Sequence, residues 1–192
     1  MNKAIFLDRD GTINVEKHYL YRVEDFEFLP GVVDALRELQ RAGYLLIIIT
    51  NQSGIARGYY TEKDFQTLND WMVARLKEQG VMIADVYYCP HLPDAVIEIY
   101  RKDCECRKPQ LGMFRQAVVD HDIDLSQSYA IGDKIRDCAI CETTACSGFL
   151  IGRNEKPEVI AEVQAGGVER VGYAEDLPIA ANVIVNNKYQ EI

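Results

Sequence analysis

Short apolar runs and amphipathic segments alternate along most of this chain. Each apolar run is bounded by glycine, proline or polar residues, which is typical of a buried β-strand. The predicted strands are the run that ends at Leu7 and the segments 44–49, 86–88, 128–131 and 148–151. We expect these segments to form the sheet of the protein.

The segments between the runs carry apolar residues at steps of three and four, the period of an α-helix. Pro30-Gly31 precedes the first of them, and Thr61 with Asp64 forms an N-terminal capping signature before the second. The predicted helices are 32–42, 61–80, 111–120, 134–146 and 157–164, and 175–185 is either a helix or a last strand. This alternation predicts a single α/β domain over residues 1–192, a three-layer Rossmann-like fold with a mainly parallel sheet and helices on both faces.

Two carboxylates directly follow the first predicted strand. Asp8 and Asp10 are one residue apart and precede Gly11-Thr12. Because side chains alternate along a strand, we expect both carboxylates on one face, with Arg9 turned away. Ligands of open α/β sheets bind beyond the carboxyl ends of the strands. Two close carboxylates repel each other unless a positive charge lies between them, so the pair predicts a site for a hard divalent cation such as Mg²⁺.

Composition and charge narrow the possible functions. The chain has 192 residues, with 21 Lys and Arg against 30 Asp and Glu, and a net charge of −9. Such an acidic chain is not expected to bind nucleic acid through a general phosphate-tracking surface. It has no run of eighteen apolar residues and no signal-like start, so we expect a cytoplasmic protein that does not bind a membrane. Its six cysteines are then expected to be thiols or metal ligands, not disulfides.

A second group of candidate ligands lies in an irregular loop, residues 89–106. Three thiols and one imidazole form a complete tetrahedral zinc set with no position left for water, which favours a structural Zn²⁺ site over ordinary buried cysteines. These residues are Cys89, His91, Cys104 and Cys106. The other cysteines lie at near-helical spacing among apolar residues, so we predict core positions and not a second metal site. They are Cys138, Cys141 and Cys146.

Four stretches resemble, in order, the motifs of the haloacid dehalogenase (HAD) superfamily of phosphatases. They are residues 8–12, Thr50, Lys108 and Gly132-Asp133. The resemblance implies that Asp8 is the nucleophile and that Asp10 protonates the leaving oxygen and then activates water. It implies that Thr50 contacts the phosphoryl group and that Lys108 balances its charge. It also implies a fold without a large cap domain, and Mg²⁺ ligands from Asp8, Asp133 and the backbone carbonyl of Asp10.

Together with the zinc loop, these motifs are similar to a narrower family, the D-glycero-D-manno-heptose 1,7-bisphosphate 7-phosphatases. The similar strings are Asp-Arg-Asp-Gly-Thr-Ile-Asn, Thr-Asn-Gln-Ser-Gly-Ile-Ala-Arg-Gly, Cys-Pro-His and Cys-x-Cys-Arg-Lys-Pro. This family implies a magnesium-dependent phosphatase that removes the C7 phosphate of a small phosphorylated sugar. It implies substrate contacts from Glu16, Lys17, His18, Tyr19, Asn51, Gln52, Ser53, Arg107 and Lys134.

Histidinol-phosphate phosphatases share these motifs and are the main alternative. They tend to carry Asp where this chain has Ser53, Arg where it has Lys134, and a shorter zinc loop, so these differences favour the heptose family. A bisphosphate carries about four negative charges at neutral pH. The candidates for binding its distal phosphate are Arg57, Arg107 and Arg136, of which Arg107 is the best because it adjoins Lys108.

Two further interpretations involve no turnover. A signalling receiver domain also carries acidic residues, a Thr and a Lys on a parallel sheet, but its acidic pair is usually adjacent and it has no place for the zinc loop. A zinc-stabilised binding module is the other, and the intact pair Asp8 and Asp10 argues against it. We therefore expect an enzyme, a monomer whose partner is a small phosphorylated sugar.

Overall fold

The structure, a computed structural model, describes residues 1–187 of the chain. The strands are β1 (Lys3–Leu7), β2 (Tyr44–Asn51), β3 (Ile83–Cys89), β4 (Tyr129–Gly132), β5 (Ser147–Ile151) and β6 (Val171–Ala174). They form a six-stranded sheet in the order β3-β2-β1-β4-β5-β6, and every neighbouring pair is parallel. The predicted parallel sheet is confirmed.

The α-helices connect these strands. They are α1 (Val32–Arg41), α2 (Ser53–Ala56), α3 (Glu62–Glu78), α4 (Gly112–Asp120), α5 (Pro157–Gln164) and α6 (Leu177–Asn187). Short 3₁₀ helices lie at Val23–Asp25, Glu98–Tyr100, Leu125–Gln127 and Ile135–Glu142. Thr61 caps α3 in the predicted capping box with Asp64. Within residues 1–187, none of the helices has the length and apolar character needed to cross a membrane.

The helices cover both faces of the sheet, as the alternation of elements predicts. Along β1, Ile5 and Leu7 pack on the face covered by α1, α3 and α6, whereas Ala4 and Phe6 pack on the opposite face. That opposite face is covered by α4, α5 and the segment Ile135–Glu142. The resulting three layers leave the carboxyl ends of the strands uncovered by any large cap among the described residues.

The predicted helix over 134–146 is wrong in type and length. The chain forms a 3₁₀ helix over Ile135–Glu142, and its first turn is closed by the Asp137 N–H, which donates to the Lys134 carbonyl at 2.9 Å. At the other end, the Thr144 hydroxyl donates to the Ile140 carbonyl at 2.7 Å. A side chain that binds this carbonyl competes with continuation of the helix, so the segment ends early.

The sequence predicts only some of the elements after residue 164. The ambiguous segment 175–185 is a helix, α6, and the last strand is β6, which lies just before it and was not predicted. Gly172 interrupts the short apolar run of β6, which therefore lacks the continuous apolar stretch that marks the predicted strands. Residues 188–192, which the predicted single domain includes, lie outside the described residues.

Candidate active site

A cavity of about 480 Å³ lies beyond the carboxyl ends of β1, β2 and β4. Because these parallel strands are neighbours in the sheet, the residues that follow them meet at one edge. The predicted site residues that line the cavity are Asp8, Asp10, Glu16, His18, Tyr19, Asn51, Gln52, Ser53, Arg107, Lys108, Asp133 and Lys134. Of the predicted catalytic, Mg²⁺-binding and substrate-binding residues, only Thr50 and Lys17 are not among the lining residues.

Lys108 is the buried cation of the site. Its Nζ donates to Asp8 Oδ1 at 2.8 Å and to the Ile49 carbonyl at 2.6 Å, and it lies 2.7 Å from Asp137 Oδ1. Burial acts to lower the pKa of Lys108, but the carboxylates of Asp137 and Asp8 outweigh it and raise this pKa above its ordinary value. The ammonium group therefore stays charged and fixes the Asp8 side chain.

Asp137 is a site residue that sequence reasoning missed. Its second oxygen, Oδ2, accepts the Lys134 N–H at 3.0 Å. The site is closely packed around it, since a Cβ at Gly132 would lie 2.2 Å from the Asp137 Cβ. The available signal was a carboxylate four residues after Asp133, in the segment that follows the same strand.

Three carboxylates have the chemistry to hold the predicted Mg²⁺. One oxygen from each of Asp8, Asp133 and Asp137 lies within 4.8 Å of the others. Burial raises the pKa of Asp8 to about 7 and that of Asp133 to about 6, because a buried carboxylate loses the water that stabilises its charge. Lys108 offsets only part of this negative charge. Buried carboxylate oxygens are suitable ligands for a hard divalent cation, so the donor set fits Mg²⁺.

The Asp10 carboxylate has a separate set of partners. It accepts hydrogen bonds from Arg9 Nε at 3.2 Å and Nη2 at 2.9 Å, Asn14 Nδ2 at 3.0 Å and Gln52 Nε2 at 3.1 Å. The prediction that Arg9 turns away is wrong, since its side chain is buried and forms an ion pair with Asp10. Strand alternation does not reach these residues because β1 ends before them and Gly11, with φ of 81°, turns the chain.

The polar residues at the end of β2 have distinct environments. Thr50 is buried, and its Oγ1 accepts a hydrogen bond from Gln52 Nε2 at 3.0 Å. Asn51 holds the backbone of Lys108: its Oδ1 accepts the Lys108 N–H at 3.0 Å and its Nδ2 donates to the Lys108 carbonyl at 3.1 Å. Ser53 begins α2, a four-residue helix that was not predicted. Asn51 therefore joins β2 to the loop that carries the site's cation.

The predicted substrate-binding segment after β1 divides into two parts. Glu16, His18 and Tyr19 line the cavity. Lys17 does not, because its Nζ donates to the Asp25 carbonyl at 2.8 Å and lies 3.2 Å from Glu27 Oε2. Lys17 is thus directed to the segment that holds Asp25 and Glu27, whereas the positive φ values of His18 and Tyr19 turn the chain just after it. Its substrate contact stays a prediction.

Four further residues line the cavity without having been assigned to the site: Arg57, Tyr60, Arg136 and Asn154. The sequence makes the two arginines candidates for binding a distal phosphate. Asn154 reaches the site from the loop after β5, where its Nδ2 donates to Asp133 Oδ2 at 3.0 Å. No sequence signal distinguished Tyr60 or Asn154 from ordinary polar loop residues, since only the fold brings their loops to the cavity.

The Cys/His group predicted in the 89–106 loop comes together in the structure. One Sγ or ring nitrogen from each of the four residues lies within 4.8 Å of the others. Cys106 Sγ lies 3.0 Å from Cys89 Sγ, 3.3 Å from Cys104 Sγ and 3.2 Å from His91 Nδ1. Three sulfur donors and one nitrogen donor match the ligand set of a closed Zn²⁺ site, so the group has the composition and proximity to hold this metal.

The remaining cysteines are core residues, as predicted. Cys138, Cys141 and Cys146 are buried on the face of the sheet that α4 and α5 cover. Burial raises the pKa of the Cys138 thiol well above its ordinary value, which keeps it protonated and unreactive.

Sequence comparisons identify relatives that span most of the chain. A family profile described as polynucleotide kinase 3 phosphatase matches residues 3–143. The D-glycero-beta-D-manno-heptose-1,7-bisphosphate 7-phosphatase of Haemophilus ducreyi is 49% identical over 155 residues, 80% of this chain and 85% of that protein. The enzyme of the same name from Photorhabdus laumondii is 43% identical over 177 residues, 92% of this chain and 94% of that protein.

Solved structures share the fold. The D,D-heptose 1,7-bisphosphate phosphatase from B. bronchiseptica, complexed with magnesium and phosphate, is 31% identical with a TM-score of 0.82, over 96% of this chain and 99% of that one. A HAD-superfamily hydrolase from Ehrlichia chaffeensis has a TM-score of 0.61 at 11% identity, over 96% of this chain and 97% of that one. The latter likeness concerns the fold alone, which is the HAD fold.

Proposed function

Because the chain belongs to the D-glycero-beta-D-manno-heptose-1,7-bisphosphate 7-phosphatase family, we propose that it removes the C7 phosphate of this bisphosphate through an aspartyl-phosphate on Asp8. The observation that carries the proposal is the 2.8 Å ion pair between Asp8 and Lys108 beside the cavity. Phosphoryl transfer to a carboxylate needs a cation at its side, because the phosphoryl oxygens bring negative charge. The direct test is release of one equivalent of phosphate, with the C1 phosphate left on the product.

The reaction divides between two carboxylates. An Asp8 oxygen attacks phosphorus as the bond from phosphorus to the C7 oxygen breaks, and Asp10 gives its proton to that oxygen. Water then attacks the aspartyl-phosphate, Asp10 takes a proton from it, and inorganic phosphate leaves. Lys108 balances the phosphoryl charge in both steps, and Asp137 holds Lys108. Of the three clustered carboxylates, Asp8 and Asp133 would hold Mg²⁺ together with the Asp10 backbone carbonyl, since Asp137 is paired with Lys108. When bound, this metal neutralises phosphoryl oxygens.

Cations around the cavity support a substrate with a second phosphate. Arg57, Arg107, Arg136 and Lys134 all line it, although the whole chain carries a net charge of −9. The pKa of Arg107 is lowered by burial and by the like charges of Arg136 and Arg57. Guanidinium groups that repel one another gain when a multiply charged anion lies between them. We therefore assign the distal phosphate to this arginine group.

The first test concerns selectivity. We expect kcat/KM for heptose 1,7-bisphosphate to exceed that for histidinol phosphate by about a hundredfold or more, because a monophosphate leaves the arginine group without its anion. Steady-state phosphate release on both substrates measures the ratio. Arg107→Gln should reduce it, whereas Arg115→Gln, an exposed arginine of α4 outside the cavity, should not.

The outcomes of this test also separate the alternatives. Faster turnover of histidinol phosphate would favour the histidinol-phosphate phosphatases, and equal loss of both phosphates would contradict selectivity for C7. A 3′-phosphorylated oligonucleotide belongs in the same assay because of the family profile that matches residues 3–143. We expect little activity on it, since an acidic chain repels a polynucleotide.

We further propose that the Cys/His group binds a structural Zn²⁺ that positions the site's cations. Arg107 and Lys108 directly follow the ligand Cys106 in the chain. Arg107 Nη1 donates to the carbonyl of His91, another ligand, at 3.3 Å, and the carbonyl of Glu105 accepts the Gly112 N–H at 2.7 Å. A Zn²⁺ in this group would fix the chain directly before the two cations, in addition to the hydrogen bonds by which Asn51 holds the Lys108 backbone.

Loss of the zinc should therefore lower activity even where the protein remains folded. We expect Cys106→Ser, or removal of zinc from the wild type by a chelator, to lower kcat about a hundredfold, because a misplacement of about 1 Å can have that effect. Turnover, zinc content and melting temperature are measured on one sample. Cys141→Ala, a core cysteine outside the group, should keep its zinc and its kcat. Full activity in a folded, zinc-free protein would rule out the coupling.

A further inference from the structure

Arg9, the residue between the two catalytic carboxylates, is among the most deeply buried side chains of the protein. It is only 1% exposed and does not line the cavity. Its guanidinium group lies over the Phe65 ring, 5.4 Å from the ring centroid, an arrangement that stabilises a desolvated cation. Burying a guanidinium is unfavourable unless it is paired, and the pair that Arg9 forms is with Asp10.

The Arg9 guanidinium contacts the Asp10 carboxylate through several hydrogen bonds, in a bidentate arrangement. Arg9 Nε and Nη2 both reach Asp10 Oδ2, at 3.2 and 2.9 Å, and Nη2 is also 3.0 Å from Oδ1. Such geometry restricts both the position and the rotation of a carboxylate. The same Nη2 donates to the Leu20 carbonyl at 3.2 Å, so the guanidinium also joins Asp10 to the end of the segment that carries His18 and Tyr19.

A second contact reaches Asp10 from Gln52, which lies between β2 and α2, and Tyr60 in the loop after α2 supports it. Gln52 Nε2 donates to Asp10 Oδ2 at 3.1 Å and to Thr50 Oγ1 at 3.0 Å. The orientation of this amide is set by Tyr60, whose hydroxyl donates to Gln52 Oε1 at 2.6 Å. Burial raises the pKa of Tyr60, so its hydroxyl remains a donor. Arg9 and Tyr60 thus act on Asp10 from two sides.

We propose that Arg9 is a positioning residue for the acid–base function of Asp10, with Tyr60 acting in the same sense through Gln52. The inference rests on the proposed function, in which Asp10 gives its proton to the C7 oxygen as the bond from phosphorus to that oxygen breaks. Arg9 does not line the cavity, so it would act on the substrate only through Asp10. It determines which way the Asp10 oxygens face, and a proton donor must lie within hydrogen-bond reach of the oxygen it protonates.

This role makes a specific prediction about the leaving group. A sugar alkoxide needs a proton to leave, whereas 4-nitrophenolate leaves as a stable anion. In single-turnover measurements, Arg9→Met should slow phosphoryl transfer from heptose 1,7-bisphosphate by about a hundredfold. The rate of transfer from 4-nitrophenyl phosphate should fall by less than about tenfold, because 4-nitrophenolate needs no proton from Asp10 to leave. The KM for the bisphosphate should change little.

The controls separate positioning from stability. Arg75→Gln removes another arginine that lies over an aromatic ring, 5.6 Å from the Trp71 centroid, and pairs with Glu78; it should change neither rate. Tyr60→Phe, which keeps the ring, should give a smaller loss of rate that again falls mainly on the sugar substrate. It keeps the test decisive if Arg9→Met does not fold.

Equal losses on both substrates in folded variants would overturn the inference, and so would unchanged rates. If the wild type does not hydrolyse the bisphosphate, the proposed function fails. The comparison is then made with whichever alkyl phosphate the wild type does hydrolyse, so that the two failures are distinguishable.

Discussion

Asp8→Asn should lower kcat by about 10⁵-fold, the scale of losing a covalent nucleophile. A neutral amide does not attack phosphorus, and it is a poorer ligand for Mg²⁺ than a carboxylate. The protein should remain folded, because Lys108 keeps its ion pair with Asp137 and a neutral group at position 8 removes a buried charge whose pKa burial raises to about 7. Phosphate release measures the first effect and thermal unfolding the second.

Asp10→Asn provides the matched comparison, since it removes a carboxylate one residue away and leaves the nucleophile. It should also be nearly inactive, but the aspartyl-phosphate should accumulate, because the water that hydrolyses it loses its base. Mass spectrometry after rapid quenching detects an added phosphoryl group in this variant and not in Asp8→Asn. Substantial turnover by Asp8→Asn would exclude the covalent mechanism. A long-lived phosphorylated wild type would favour the receiver interpretation.

Lys108→Met should have the second largest effect, a loss of about 10³-fold in kcat, because it removes a preorganised charge from the reacting group. It should also reduce the free energy of unfolding at neutral pH by roughly 3–5 kcal/mol, the usual result of removing one partner from a buried ion pair. Lys108 lies 2.8 Å from Asp8 and 2.7 Å from Asp137, so its removal leaves both buried carboxylates without their cation.

The stability loss should depend on pH with a definite sign. Burial already raises the pKa of Asp8 to about 7, and Lys108 acts to lower it, so the variant's Asp8 should titrate higher still. A carboxyl group with a raised pKa in the folded state destabilises the protein at pH values above its unfolded pKa, since folding then requires a proton or a buried charge. The gap in melting temperature between wild type and variant should therefore shrink as the pH falls from 8 to 5.

Lys77→Met is the control for this experiment, because Lys77 is an exposed lysine of α3. It should change neither kcat nor the pH dependence of unfolding, as surface charges contribute little. A Lys108→Met protein with normal turnover would contradict the role given to the cation. If the difference in melting temperature between wild type and Lys108→Met does not change with pH, the unpaired carboxylates are not the cause of the lost stability.

Local sequence patterns determined most of the regular elements. They also identified Asp8 as a candidate Mg²⁺ ligand and the cysteines of the 89–106 loop as candidate Zn²⁺ ligands. Short apolar runs bounded by turn residues identify β1 to β5, and the 3.6-residue period identifies most helices, because both patterns record which residues face the core. Asp8 could be assigned to a strand end because the residues before it are apolar and Gly11 follows. The cysteines of the 89–106 segment could be separated from the other three because they lie in an irregular, polar sequence together with His91. In the structure Cys89 nevertheless belongs to a core cluster, and Cys104 and Cys106 pack against it.

Other features were decided only by the tertiary structure. Lys108 meets Asp8 across 100 residues of chain, and the partnership of Asp137 with this pair depends on how β1, β4 and the segment after β4 pack. The orientation of Arg9 toward Asp10, opposite to the prediction, follows from where β1 ends and from the buried partners Phe65 and Leu20. A single sequence records the period of each segment, whereas the pairing of buried charges depends on distances between segments that only the packed sheet defines.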